Sequence, residues 1–433
     1  MHRDKPNIEP RIGDLVQDDR IHRSVYFDPA VFALEMERVF GRGWIFVGHE
    51  SQVPNSGDFF ASTIGTQPVL VVRHSDGKVY VVHNRCGHRG ALVANEPFGN
   101  TGRSFRCAYH GWSFKTNGEL LAAPLKSGYP DCYDLNAREF GMVSIRSESY
   151  RGFVFANAAG TANITFEDYI RPMRRVIDEV VDRSPAGAIR VPPRGQRYLY
   201  QGNWKEQVDN GGDIYHPPYG HESTISKGDQ QFKRREGQEG PKIADREAGK
   251  SNWDRIVMSA FHGGSNYVGC LPGTEEPRSG AVWQEYVALM VGKYGAERTK
   301  EIVREKYHAA LFYPNFILHM LSQHVRVVHP IGVNRTEVRV YPVSLVGAPE
   351  ELNRQNIRYL NATHSPASLI QTDDLECFRR IHEGLKNSAP EWVILGRGFG
   401  KDSAIADGFE SFGTSEVAIR NYYKTWKHAM TAG

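Results

Sequence analysis

No stretch of the 433 residues approaches the about eighteen consecutive apolar residues that a membrane-spanning helix needs. The opening MHRDKPNIEPRIGDL has no apolar core of the kind a secretory signal carries. Both absences make a cytoplasmic protein the expectation. Charge of one sign is missing too. Lys and Arg number 53 against 50 Asp and Glu, a net +3. No basic block stands out, so neither nucleic acid nor a membrane surface is expected as a partner. The densest charged run, Lys233 to Lys250, mixes both signs and reads as a loop. Cysteine is scarce: Cys86, Cys107, Cys132, Cys270 and Cys377. An odd, sparse set argues against a disulfide framework and leaves metal binding or burial. There is no internal repeat and no low-complexity tract. The Gly396-x-Gly398-x-Gly400 pattern lacks the strand–loop–helix setting of a dinucleotide site and reads as a loop.

What is present begins with size. The chain is long enough for two or three domains. Asp28 to Phe40 reads as a helix, with Asp28 as cap and Pro29 in the first turn. Short β-branched and apolar runs follow (Gly43–Glu50, Gln67–Asn84, Arg151–Ala158), and Asp76-Gly77 marks a hairpin. A helix is expected over Phe166–Val181, another from a cap at Asn203 to a stop at Pro217-Pro218, and a third over Arg298–Ala310. His324–Val343 reads as strand, turn near Asn334, strand. Pro366–Leu385 reads as a long helix. The fold class expected is α+β. Residues 1–39 form a helical segment packing on the catalytic domain, 40–157 a small antiparallel β domain, and 158–433 a larger α+β domain whose central antiparallel sheet is flanked by helices.

Two constellations carry chemistry. The first is Cys86-x-His88 followed by Cys107-x-x-His110. Thiolate is a soft ligand and imidazole a borderline one, so both zinc and iron–sulfur centres fit. A zinc clip usually groups its cysteines and then its histidines. Here each loop offers one of each, which suits a [2Fe–2S] cluster with two Cys on one iron and two His on the other. Gly87, Gly90 and Gly111 would let backbone come close to such a cluster. Arg89, next to a donor, has a cluster, interface or plain surface role open.

The second constellation is NWKEQVDNGGDIYHPPYGH, Asn203 to His221, with the pair His216-x4-His221. On one helix Asp209, Asp213 and His216 would share a face, placing a carboxylate beside an imidazole. Gly211-Gly212 suggests close packing or a distorted turn. A lone pair of this kind is more often structural than metal-binding; if it does hold a metal, a carboxylate such as Asp373 or Asp374, far along the chain, is a candidate third ligand.

CGHRG and CAYHGW resemble the Rieske loops of the bacterial ring-hydroxylating oxygenases, large (α) subunit. The 18-residue gap from Arg89 to Arg106 is slightly long for that family. Asn203, Trp204, Lys205, Asp209, Asn210, Asp213, Tyr215, His216 and His221 match its mononuclear iron signature. The resemblance runs from about Phe27 to the C-terminal region and is weak over 223–309. It implies a [2Fe–2S] cluster on Cys86, His88, Cys107 and His110, and a mononuclear Fe(II) on His216, His221 and Asp374. Asp374 is preferred to Asp373 because Phe378 follows it by four residues. Asp213 and Asn210 are the implied catalytic residues, with Asp213 bridging His216 to His110 of a neighbouring protomer. The implied activity is O2-dependent hydroxylation of an aromatic compound, carboxylated or not. NADH would act only indirectly, through a separate reductase with or without a ferredoxin. The implied assembly is a trimer with a small β subunit (α3β3), or α3 alone. The same metal sites also suit a Rieske monooxygenase or demethylase. A Rieske electron-transfer or redox-sensing protein would need only the first constellation. His319 and His324 read as core histidines, and Arg326 as a surface or ion-pair residue that would otherwise anchor a substrate carboxylate.

Overall fold

The computed structural model describes residues 9–130, 132–135, 138–160, 164–222, 252–270, 280–304, 306–320, 322–368 and 370–432. The charged run Lys233–Lys250 lies outside them. The chain divides into a small unit, 40–168 with 190–194, and a large unit, 1–39, 169–189 and 195–433. Residues 158–168 and 190–194 thus fall with the small unit, where the sequence reading set them in the larger domain.

In the small unit seven antiparallel strands lie in the order Ile45–His49, Phe153–Asn157, Ser144–Tyr150, Val79–His83, Gln67–Arg73, Asp58–Ile64, Phe98–Asn100. Continuous apolar runs, Val69–Val72 in Gln67–Arg73 and Val81–Val82 in Val79–His83, are buried. The turn between these two strands is built by Asp76, whose Oδ1 accepts from Lys78 N at 2.8 Å, and by Gly77 at φ +81°. A second sheet of three short strands, Ser104–Arg106, Ser113–Lys115 and Leu120–Ala122, completes the unit. Phe59, Leu70, Val82, Phe105, Trp112 and Phe114 form its core, and Cys86 and Cys107 are buried within that same cluster.

The large unit is built on nine antiparallel strands. Their order is Gln196–Tyr200, Arg335–Pro342, His324–Gly332, Phe316–His319, Tyr307–Phe312, Asn266–Gly269, Val257–Phe261, Gly408–Phe412, Ser403–Ile405. Helices Trp204–Gly211, Gln371–Gly384 and Val417–Thr431 pack on it. The α+β class and the central antiparallel sheet therefore stand as expected. So does the first helix: Asp28 caps it, accepting from Ala30 N at 2.8 Å, with Pro29 in the first turn.

Three helix expectations need correction. Phe166–Val181 is broken by Pro172 into Phe166–Ile170, a 3-10 turn Arg171–Met173, and Arg174–Asp182. The segment Arg298–Ala310 is helical only within Ala296–Val303. Tyr307–Phe312 instead pairs with Phe316–His319 and Asn266–Gly269, and that tertiary pairing overrides the helix propensity of Ala309 and Ala310. The long helix starts at Gln371, not Pro366, because Ser368 Oγ accepts from Gln371 N at 3.1 Å and sets the start.

A buried ionic centre ties the N-terminal segment to this unit. Glu35 accepts from Lys205 Nζ at 2.6 Å, Trp204 Nε1 at 2.9 Å and Trp426 Nε1 at 2.7 Å. Both charged side chains are wholly inaccessible. A buried charge is tolerable only when fully paired in this way. It gives the Asn-Trp-Lys sequence a structural reason, since Asn203 caps the helix while Trp204 and Lys205 anchor it.

Candidate metal centres

The two Cys/His loops are hydrogen-bonded alike. In the first, Gly90 N donates to Cys86 O at 2.9 Å and Cys86 N to Ala91 O at 2.8 Å. In the second, Gly111 N donates to Cys107 O at 3.0 Å and Cys107 N to Trp112 O at 2.8 Å. Each glycine is the fifth residue of its loop, at φ +75° and +72°, where a side chain would be strained. The histidine stands third in one loop and fourth in the other. Gly87 serves close packing instead, since a Cβ there would stand 2.5 Å from Phe140 O.

The result is a polarised cradle. Cys86 and Cys107 are buried, both free thiols, while His88 and His110 are half-buried with ring centroids 4.6 Å apart. His88 lies flat against Trp112, at 5.0 Å and 7° between planes. Its Nδ1 is buried with no hydrogen-bond partner. With the His110 ring beside it, that orphaned nitrogen and the two thiols make up the two-Cys, two-His donor set a Rieske [2Fe–2S] cluster requires. Burial raises the Cys86 thiol above its usual range, with the His88 backbone N–H partly offsetting it. Burial, then His110 and Arg89, hold the His88 imidazole below its usual range. Arg89 is exposed and lies over Tyr109, 5.8 Å from the ring centroid.

Asn84, not singled out from the sequence, clamps the first loop. Its Oδ1 accepts from Val93 N and Ala94 N, both at 3.0 Å, and its Nδ2 donates to Ala94 O at 2.7 Å. Its position two residues before Cys86, at the end of an apolar run, was the available signal.

In the large unit the second constellation is not one helix. Trp204–Gly211 ends at a cap on Gly212, and His216 opens a separate turn, Pro217–Gly220. Asp209, Asp213 and His216 therefore do not share a helix face. Gly211 packs on the sheet, where a Cβ would lie 3.0 Å from Ile317 Cδ1. Asp213 sits in the intervening turn and accepts from the backbone N of Tyr215 and His216. Its Oδ2 is 3.4 Å from His216 Nδ1.

His216, His221 and Asp374 come together, with one donor atom from each within 4.8 Å of the others. Asp374 Oδ1 lies 3.6 Å from His216 Nε2 and 3.2 Å from His221 Nε2. Asp373 instead faces the outer nitrogen, 3.3 Å from His221 Nδ1. Asp374 is buried and Asp373 half-buried. Burial lowers the His221 pKa, but Asp374 and Asp373 outweigh it and the net shift is upward. Two imidazoles and one carboxylate on a small common volume fit a mononuclear iron with open positions. The Asn210 amide faces the same volume, 3.0 Å from His216 Nε2 and 3.1 Å from Asp374 Oδ1.

A cavity of about 210 Å³ opens beside these groups, lined by His216, His221 and Asp374 together with Ile317, His319 and Arg326. Arg326 is thus no surface residue; it is 5% exposed. His324 is wholly buried and His319 nearly so, sharing Ser322 Oγ through their Nδ1 atoms at 3.0 and 2.8 Å. His324 keeps an unpartnered Nε2. Gly396–Gly400 lies outside any helix or strand, as the loop reading expects.

Comparison with known proteins agrees with this architecture. Residues 43–134 match the Rieske [2Fe–2S] domain, and 172–432 the ring hydroxylating alpha subunit (catalytic domain). The chain is 32% identical over 399 residues to toluate 1,2-dioxygenase subunit alpha of Pseudomonas putida, covering 88% of this chain and 86% of that one. It is 31% identical over 385 residues to the anthranilate 1,2-dioxygenase large subunit of Acinetobacter baylyi, covering 88% and 80%. A structure of naphthalene 1,2-dioxygenase with indole bound superposes with a TM-score of 0.81 at 23% identity, over 96% of this chain and 94% of that one, and so shares the fold. With both domain matches in this order, and relatives this similar along most of its length, the chain belongs to the alpha subunits of the Rieske aromatic ring-hydroxylating dioxygenases, oxidoreductases that carry a [2Fe–2S] cluster and a mononuclear iron.

Proposed function

We propose that this alpha subunit is the terminal oxygenase of a multicomponent system, adding both atoms of O2 to an aromatic ring with electrons that start on NADH. The observation that carries this reading is the convergence of His216, His221 and Asp374 in the lining of one cavity. Cys86, His88, Cys107 and His110 are the proposed cluster ligands, and His216, His221 and Asp374 the proposed iron ligands. When bound, the cluster supplies electrons singly and the iron supplies open coordination positions for O2.

The remaining residues hold and orient. Asp373 accepts from His221 Nδ1 and so aims Nε2 inward. Asp213 accepts from the backbone N of Tyr215 and His216, and its Oδ2 stands 3.4 Å from His216 Nδ1. Being partly exposed, Asp213 is also free to accept from His110 of a neighbouring protomer in a trimer, the bridge the family resemblance implies. Asn210 presents its amide to the volume between His216 and Asp374. The cavity is small for a ligand site, which suits a single substituted ring. No nicotinamide site is evident in the sequence, so the partners proposed are a separate reductase, with or without a ferredoxin, and a small β subunit in an α3β3 assembly, or α3 without it.

Turnover of the reconstituted system under 18O2 tests the reading. Two labelled atoms per product are expected. One labelled atom would replace it with a monooxygenase or demethylase, and no oxygenated product from metal-loaded, reduced protein would leave only electron transfer.

A further inference from the structure

Arg326 is the anomaly of the large unit. It lies on the central strand His324–Gly332, opposite Ile317 on one neighbour and Val340 on the other. Its Nε is buried without a partner, and among the described residues its side chain makes no hydrogen bond and no ion pair. The groups around it do not neutralise it. His308, His319, His324 and His364 pack ring to ring at 4.7–4.9 Å. Burial first, then neighbouring imidazoles and Arg326, hold the last three well below their usual pKa, so they are uncharged. Burial alone depresses His308, to about 4. A guanidinium is charged at any working pH, and an isolated buried charge is costly. Arg326 also lines the cavity that His216, His221 and Asp374 line.

We propose that Arg326 anchors a carboxylate on the aromatic substrate, holding it by paired N–H···O bonds so that the ring lies toward His216, His221 and Asp374. The proposal rests on the reading of this cavity as the oxygenase's substrate site. A planar guanidinium fork matches a carboxylate in two parallel bonds. Binding a neutral hydrocarbon would leave the charge buried and unpaired, so the cavity selects for the acid and against its methyl analogue.

Benzoate and toluene, which differ only in that group, are the probes. Titration of the metal-loaded protein with each gives affinities, and exposure of dithionite-reduced protein to O2 gives single-turnover products without any reductase. The wild type should bind benzoate over toluene and oxygenate it. Arg326→Met should weaken benzoate on the order of a hundred-fold, turning the preference toward toluene, and Arg326→Lys should recover part of the loss. The Tm of the Met variant should hold or rise, since an unpaired buried charge has been removed. Unchanged benzoate affinity in Arg326→Met overturns the anchor. So does a sharp drop in Tm with both ligands lost, which would make Arg326 structural. Wild-type product from toluene but not from benzoate also overturns the anchor while leaving the oxygenase reading intact. Product from neither compound, with the metals loaded and reduced, sinks the oxygenase reading itself.

Discussion

The two metal regions gather their donors over different distances along the chain. In the small unit, both loops lie between Asn84 and Phe114, and each closes on its own backbone through a glycine at positive φ. In the large unit, Asn210 meets Asp374 across 164 positions and His221 meets Asp373 across 152. The first region is made by local turn geometry. The second exists only after the nine-stranded sheet has brought the Trp204–Gly211 and Gln371–Gly384 helices together. Their surroundings differ too. The cradle buries its thiols and leaves its imidazoles half-buried, as suits a group that passes electrons outward. The triad lines a cavity, as suits one that meets a substrate.

The largest effects should come from cutting each region separately. Cys107→Ala is expected to abolish the Rieske absorption and EPR signal, and product formation with it. Asp374→Ala is expected to abolish product and remove the mononuclear iron while leaving the cluster signal intact, as iron analysis and EPR on one sample will show. A cluster signal lost in Asp374→Ala would end the description of two independent regions. Asp373→Ala sharpens the choice of carboxylate, because its contact with the outer His221 nitrogen predicts only a roughly 10–100-fold loss of iron affinity. If Asp373→Ala matched Asp374→Ala, the assignment of Asp374 would fall.

Asp213→Ala probes what joins the two regions in function. With Fe(II) in excess, the variant should hold both metals and keep the cluster spectrum, yet fail to turn over. Normal turnover would remove Asp213 from electron transfer and leave it only the hydrogen bonds it accepts from the backbone N of Tyr215 and His216.

The same contrast explains what could be read from the sequence. The cradle was legible because its donors and glycines are adjacent and their order alternates. His216 and His221 were legible as a spaced pair. The helix through them was not, because Gly211-Gly212 ends it where continuous periodicity suggested a run to Pro217. Asp374 could be preferred only by resemblance to a family, since nothing local separates it from Asp373; their different partners, inner and outer nitrogens, are a tertiary fact. Arg326 was misjudged for the same reason. An Arg in an alternating strand usually faces water, and only the sheet's order reveals that this strand is central.

A smaller effect separates the regions by pH. Asp209 is half-buried, takes a 2.6 Å hydrogen bond from Tyr26, and is pushed up to about 8 by desolvation, with Glu206 and Asp213 adding to the shift and Tyr26 and Lys205 opposing it. The native state therefore keeps a proton that the unfolded chain gives up near 3.9. Over that window the native state binds more protons, so stability falls as pH rises toward 8. Glu206, also raised by burial, adds to the same slope. Buried His49 in the small unit and His308 in the large, each depressed to about 4, act oppositely. Their contribution grows with pH but is complete by about 6.5, where unfolded histidine loses its proton. Between about pH 6.5 and 8 the large unit should thus weaken while His49 changes nothing in the small one. Asp209→Asn, which mimics the protonated carboxyl, should flatten that decline, with calorimetric Tm shifts of roughly 2–4 °C per kcal/mol as the readout. An equal decline in the variant would mean that Asp209 is ionised in the native protein, and that the acid beside Asn210 is a charged group and not a neutral one.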